Sequence, residues 1–514
     1  MTKASKKFTP PFAWLGRFWI PVGLTAITLT AAFFRFYQLA ALPPGLDNTS
    51  AQIGLQALHL SSTHWIPTLS AVNGYAPLWV WLQSISVHIF GNSELSLRLW
   101  PAILGTLAVI VTWLWVNDWF NRRIAWIAAM LMAVSPWAVT ISRNGVESAL
   151  LPLLTSLTLW LAGRAWRAPS TRRMMTLGAG LGLNLLAGPL GWLLTGTILA
   201  IGLWLLATRH KLGGLTRHHL AASIPFAAGA GLLAYFIGTS LPGIKSMPHD
   251  LGIAANVGQI FQNIAKVVVM FNIHGDENYH HNLAGEPLLN AFVGLMFVTG
   301  ILVSVSRLHE RRYRLLLGLL VVLVAPATLA VAGLPNSSYA VAALPIVFAV
   351  AGVGTSYMLE LWYATFPINS AARTTGQAAI ILLLALSFLQ GYTQYFRAWA
   401  GSTAVYVAYN EGSVQIGKHL KTDRTGERYV IAPADQAPII EYIATGITKP
   451  APVIQPAALQ ALPLSTTARQ YYIATASRDE AVKILKAKFP GGILRPHYSN
   501  FNQVEIYYTY EAAK

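Results

Sequence analysis

Apolar runs of about 20 residues, each closed by polar or turn-forming residues, recur from residue 18 to residue 396. A run of that length crosses a bilayer's hydrocarbon core as a helix. The pattern predicts eleven such helices, at roughly 18–37, 98–117, 122–140, 149–167, 174–188, 190–208, 218–238, 288–306, 313–332, 338–360 and 377–396. Two long loops interrupt the series, at 38–97 and at about 239–287. Within the first, Ala76 to Val87 is apolar but short, with Gln83, Ser84 and Ser86 spaced for one face, and predicts an interfacial helix lying along the membrane. After Phe396 the long runs stop. Strand-like Tyr429–Ala432, Tyr471–Ala474 and Val504–Tyr508 alternate with helix-like stretches near 405–421, 435–445 and 478–489. The predicted fold is an all-α polytopic membrane domain with long external loops, residues 1–396, followed by a small soluble α/β domain, residues 397–514.

Composition agrees with this division: the 514 residues are 54% hydrophobic and only 11% charged. The first run has no small-residue cleavage pattern and exceeds a signal-peptide core, so it reads as a retained helix. The absence of Cys excludes disulfides and thiolate metal sites. The net charge of +17 is a statement about topology. With the N-terminus cytoplasmic, eighteen Lys and Arg up to Arg373 fall inside and five fall outside: Arg35, Arg98, Arg143, Lys245 and Lys266. Eleven crossings then put the C-terminal domain on the extracytoplasmic face of the plasma membrane. No nucleic-acid partner is inferred, because the positive charge belongs to cytoplasmic loops and the tail domain. Few ionisable residues sit near a helix centre, which argues against a coupled transporter.

The acids divide the other way, with Asp47, Glu94, Glu147, Asp250, Asp276, Glu277 and Glu286 outside. Asp47 lies in Leu42-Pro43-Pro44-Gly45-Leu46-Asp47, a turn placed where the first helix meets water. The second external loop holds the densest polar cluster, with two acids, three His and three Asn between Asn272 and Asn282. That composition suits an ordinary hydrated loop, a divalent metal bound by His280, His281 and Asp276, or a site for phosphate and sugar hydroxyls. Ser142-Arg143-Asn144-Gly145 is an external turn carrying one cation, an interfacial anchor or a phosphate ligand.

Several of these pieces, in order, resemble the C-type multi-spanning glycosyltransferases related to protein O-mannosyltransferases and lipid A aminoarabinose transferases. They are Arg35 with Pro43-Pro44-Gly45-Leu46, then Pro77-Leu78, Trp81-Leu82-Gln83 and Phe90-Gly91, then Arg98-Leu99 with Pro101. Ser135-Pro136, Ser142-Arg143, Gly275-Asp276, His281-Asn282-Leu283, Gly285, Pro287-Leu288 and Leu344-Pro345 continue the series. The resemblance implies transfer of a sugar from a polyprenyl-phosphate carrier in the membrane lipid to a protein, glycan or lipid acceptor outside. An external acid would serve as base, and basic or polar groups would hold the phosphate. Carried onto this chain, it implies Asp47, Asp276 and Glu277 as catalytic, and Arg35, Arg98, Arg143, His274, His280, His281, Asn282 and Tyr339 as substrate-binding, with a divalent metal left open. The chain departs from the pattern at Thr49-Ser50, where an acidic pair is expected, and at Tyr75-Ala76, Glu147 and Tyr339, where charged positions of the pattern are replaced. A catalytically degenerate member that binds lipid-linked sugar or scaffolds a partner enzyme is therefore the alternative.

Overall fold

The computed structural model describes residues 13–63, 75–208, 217–238, 257–329, 334–422, 427–446, 451–461, 469–499, 501 and 503–512. Its helices are, in order, α1 (Ala13–Phe36), α2 (Asn48–Thr63), α3 (Pro77–Phe90), α4 (Glu94–Trp119), α5 (Arg122–Val134), α6 (Pro136–Ile141), α7 (Leu151–Arg167) and α8 (Thr171–Leu185). They continue as α9 (Pro189–Thr208), α10 (Arg217–Gly238), α11 (Val257–Asn272), α12 (Ala291–Ser306), α13 (Arg311–Leu329), α14 (Leu344–Thr365) and α15 (Ser370–Tyr392). The tail domain adds α16 (Thr403–Ala408), α17 (Glu411–Thr422), α18 (Ala437–Ala444) and α19 (Arg478–Lys488).

Helices stand at all eleven predicted places, and five among the described residues are individually long and apolar enough to cross a membrane. These are Glu94–Trp119, Glu147–Arg167, Arg311–Leu329, Ser337–Thr365 and Ser370–Trp399. Residues 330–332, the predicted end of α13, and loop residues 239–256 lie outside the described residues. The predicted helix 122–140 is divided into α5 and α6. Pro136 has no N–H to donate and forces Ser135 into extended backbone (φ −64°, ψ 127°), so the helix stops and restarts. α14 sits at the centre of the bundle. It touches α12 closely because a Cβ at Gly354 would lie 2.0 Å from the Met296 carbonyl, a separation only glycine permits.

The loop between α1 and α4 is more helical than its sequence suggests, since α2 was not anticipated. α3 is the expected short helix, but its polar face is turned the other way. Gln83 and Ser86 are buried, while Ile85, Ile89 and Phe90 are exposed. The cause lies in α4. Pro101 cannot donate to the Leu97 carbonyl, and the Gln83 amide does so instead at 3.0 Å, with the Ser86 hydroxyl 2.6 Å from the Ser96 carbonyl.

The tail domain carries strands β1 (Glu427–Ile431), β2 (Val453–Ile454), β3 (Arg469–Ala474), β4 (Ile493–Tyr498) and β5 (Glu505–Ala512) in the order β2-β1-β3-β5-β4. β1 is parallel to β2 and β3, and β5 is antiparallel to β3 and β4. The two strands absent from the sequence reading lie at the sheet's edges. One is two residues long and the other contains Pro496, which an edge tolerates.

This domain docks on α2 and the α3–α4 corner. Leu46, Ala51, Val87 and Leu97 share one apolar cluster with Val414, Ile439, Tyr442 and Ile443. Around it, the Asn92 amide donates to the carbonyls of Tyr442 and Ile443 at the end of α18, both at 2.9 Å, and Lys418 pairs with Glu94 at 2.5 Å. Tyr442→Ala is expected to cost about 3–5 kcal/mol, the range for emptying a buried aromatic site. Faster proteolytic release of the tail domain, together with a lower melting temperature in detergent, would show it; an unchanged digestion pattern would contradict this docking.

Candidate active site

Buried Arg143 and Arg98 hold the segment after α1, and buried Arg35 holds the end of α1 against α5; none of the three has a carboxylate within salt-bridge distance among the described residues. Arg143 Nη1 donates to the carbonyls of Phe34 and Arg35, and its Nη2 to that of Leu42, all at 3.0 Å. Its guanidinium lies over the Tyr395 ring at 5.3 Å. Arg98 donates to the Leu39 carbonyl at 3.1 Å, the Ala40 carbonyl at 3.3 Å, and the Gly45 carbonyl. Arg35 reaches across to Ala133 at 3.0 Å and Met132 at 3.5 Å, two carbonyls stranded where Pro136 breaks the helix. The sequence marked all three as substrate-binding; here their terminal donors go to the chain itself. The loop they shape turns tightly at Gly45, where a Cβ would sit 2.2 Å from the Tyr409 carbonyl.

Asp47 emerges from this loop as the N-cap of α2. One oxygen accepts the Ser50 N–H at 2.9 Å and the other accepts the Ser50 hydroxyl. Thr49-Ser50, the place of the expected acidic pair, is therefore the first turn of a helix.

Four segments meet beside Asp47: the loop after α1, the turn at Asn144-Gly145, the loop between α11 and α12, and the chain between α16 and α17. Tyr75 donates to the Gln52 side chain at 2.7 Å. Burial, then Glu147, then Asp47 push its hydroxyl up to about 12. Glu147 accepts the Ala76 N–H at 2.7 Å through one oxygen, and its other oxygen has no hydrogen-bond partner among the described residues. Tyr409 donates to Asn144 Oδ1 at 2.6 Å, and the Asn144 side-chain amide donates to the His280 backbone carbonyl. The His280 ring packs edge-on against Tyr409 at 4.8 Å and donates from Nε2 to the Ala408 carbonyl at 2.9 Å. Burial lowers the His280 pKa, against the opposing pull of Asp47.

Other candidates lie elsewhere. Asp276 is buried and accepts from the Asn278 and Ser337 amides at 2.9 and 2.7 Å, from the Ser337 hydroxyl at 3.0 Å, and from His281 Nδ1 at 3.0 Å. Burial raises its pKa, but the His281 bond and charge and the two amides outweigh that and leave it below the usual carboxylate value. Glu277 points to solvent and pairs with exposed His274 at 3.1 Å. Asn282 closes the loop on the Glu286 carbonyl. Tyr339 is half-buried beside the Asp276 partner Ser337. His280 faces Ala408 while His281 faces Asp276, and among the described residues no three His, Asp or Glu side chains converge to hold a metal. The residues present do not fit the divalent ion the sequence left open.

Glu147, Tyr75, Asn144 and Tyr409 were not singled out for the site from sequence. Glu147 and Tyr75 carried a signal as replaced positions of the family pattern and Asn144 as part of the Ser142–Gly145 turn, whereas Tyr409 carried none.

The family model described as dolichyl-phosphate-mannose-protein mannosyltransferase matches residues 75–239. A putative mannosyltransferase, YkcB of Bacillus subtilis (strain 168), is 34% identical over 91 residues, 18% of this chain and 13% of that protein. ArnT from Cupriavidus metallidurans in the apo state superposes with a TM-score of 0.61 over 97% of this chain and 98% of that one, at 14% identity. Its structure bound to undecaprenyl phosphate gives 0.60 over 96% and 98%, also at 14% identity. Over residues 75–239 the chain is similar to that mannosyltransferase family, and over nearly its whole length it shares the polytopic membrane fold of ArnT. At 14% identity the likeness to ArnT is one of fold, and the match to YkcB spans a small part of that protein's length.

Two outcomes follow from this geometry. Arg98→Met removes the donors to three carbonyls, two of them on the buried residues Leu39 and Gly45, and is expected to lower stability by roughly 3 kcal/mol, read as a lower melting temperature in detergent; a residue that served only to hold substrate would leave that temperature unchanged. For Asp276, a depressed folded pKa means that its stabilisation is present above the usual value of 3.8 and disappears as pH falls through the folded value. The stability gap between wild type and Asp276→Asn should therefore be widest near neutrality and narrow as pH falls below about 4, measured by melting at a series of pH values.

Proposed function

We propose that this protein transfers a sugar from a polyprenyl-phosphate carrier to an acceptor hydroxyl on the extracytoplasmic face of the plasma membrane. The observation that carries the reading is the pair of carboxylates, Asp47 and Glu147, flanking Tyr75 beneath the docked tail domain, in a chain of this glycosyltransferase fold. The positive-inside bias supports the orientation, since it sends this end of the bundle and the tail domain outward.

Glu147 is the proposed base. Its uncommitted oxygen takes the acceptor proton as the hydroxyl attacks the anomeric carbon, and the bond from that carbon to the carrier phosphate oxygen breaks. Asp47, anchored by Ser50, positions the acceptor, and Tyr75 and His280 complete the polar wall. Arg35, Arg98 and Arg143 act on the departing phosphate through their field rather than by contact: three buried guanidiniums with no carboxylate partner among the described residues leave net positive potential under the loop. The polar loop around Asp276 holds its shape by internal bonds and serves as a roof, with His274 and Glu277 at its exposed edge.

With purified protein and a polyprenyl-phosphate sugar, Glu147→Gln is expected to reduce the initial transfer rate roughly 10²–10⁴-fold. Asp47→Asn, which keeps the cap, should lower the rate while leaving the stability within about 1 kcal/mol of wild type. Full activity in both variants would remove the assigned roles. Binding of the carrier lipid with no turnover of any donor would instead favour the degenerate reading, to which the departure at Thr49-Ser50 belongs.

A further inference from the structure

A second cavity, of about 330 Å³, lies at the opposite ends of the helices from the candidate site. Its walls come from the last turns of α4, α7 and α9 and the first turns of α8 and α13. The segment Glu147–Arg167 runs from one site to the other, a distance of about 30 Å at 1.5 Å per residue. The interior is apolar, lined by Trp166, Leu177, Ile198, Leu205, Leu315 and Leu319. Gly163 lets Trp119 lie flat in the wall, because a Cβ there would come within 2.5 Å of its indole nitrogen.

The rim carries Arg167, Arg311 and Arg312. Asp118 is the acid of the lining, and Arg167 already neutralises it at 3.4 Å. Arg312 is paired with Glu310 at 2.6 Å. Arg311 is exposed and makes no ion pair among the described residues, which leaves the mouth of an apolar groove with a surplus cation. A ligand that matches both parts has an anionic head and a long hydrocarbon tail, the chemistry that basic pockets between membrane helices select.

We propose that this groove is a binding site for an anionic bilayer phospholipid, its headgroup phosphate on Arg311 with Arg167 and Arg312 alongside, and one acyl chain between α7, α9 and α13. The site is separate from the proposed transfer chemistry and does not depend on it. Occupancy ties the ends of five helices together at the face opposite the external loops.

The test uses the full-length protein in nanodiscs and the fluorescence of Trp119 and Trp166. Phosphatidylglycerol brominated in its acyl chains should quench the component that Trp119→Phe and Trp166→Phe remove, and should do so more strongly than brominated phosphatidylcholine at equal mole fraction. Arg311→Gln, an exposed and unpaired position, should reduce the preference about five-fold, the effect of one cation near an anionic headgroup. Equal quenching by the two lipids, or an unchanged preference in Arg311→Gln, overturns the proposal. So does displacement of the quencher by undecaprenyl phosphate but not by unbrominated phosphatidylglycerol, which would make the groove a carrier-lipid site instead.

Discussion

The constraint on which this structure depends is the need to satisfy backbone carbonyls where α1 ends and where α5 breaks, at a depth where protein excludes water. A helix leaves its last four carbonyls without partners, and an unsatisfied carbonyl in an apolar surrounding costs several times what an exposed one does. Water cannot serve here, because Arg35, Arg98 and Arg143 are themselves almost wholly buried. Guanidinium suits the task better than ammonium, since its fixed fork reaches carbonyls on two segments at once. Arg143 thus joins Leu42 to the end of α1, and Arg98 joins the Leu39–Gly45 turn to α4. The loop so fixed presents Asp47 and fits Gly45 against Tyr409, so the scaffold reaches the proposed chemistry through three side chains.

That double role explains what could be read from sequence and what could not. Long apolar runs are local signals, and helices stand at all eleven predicted places because hydrophobicity over 20 residues is decided by those residues alone. Pro136 and Pro101 were visible too, but their consequences fall on distant partners: Met132 and Ala133 are answered by Arg35, and Leu97 by Gln83. An outward Arg in a chain this apolar reads as a ligand for substrate, since ionisable groups in membrane segments usually mark function. Nothing local separates such a residue from one that binds carbonyls about a hundred positions away, as Arg143 does with Phe34. Asp276 is similar. Its polar neighbours suggested a site, whereas its Ser337 partner, 61 residues on, makes it a strut.

The candidate site itself was half legible. Asp47 and His280 stood out as polar groups in external loops, and they do lie together. Glu147 was recorded as an external acid without a role, because its neighbours Tyr75 and Ala76 come from a segment more than 70 residues earlier. Tyr409 was hidden more completely, in a stretch of tail domain whose alternating pattern gave no reason to place a hydroxyl among membrane-domain loops.

Tyr409 also bears on why a sheet-bearing tail accompanies a helical bundle here. Its hydroxyl is bonded to Asn144, its ring packs on His280 and Trp399, and the next residue but one, Glu411, begins α17 of the tail domain. The tail therefore supplies one wall of the site as well as covering it, and α18 fixes its orientation through the shared core with α2, the same helix that Asp47 caps. A shift of the tail relative to α2 would move Tyr409 and Asp47 apart and change the polar wall on both sides at once. Geometry at the carboxylates is thus set from two directions, by the arginine-bound loop below and by the docked domain above, and neither half of the chain contains the site alone.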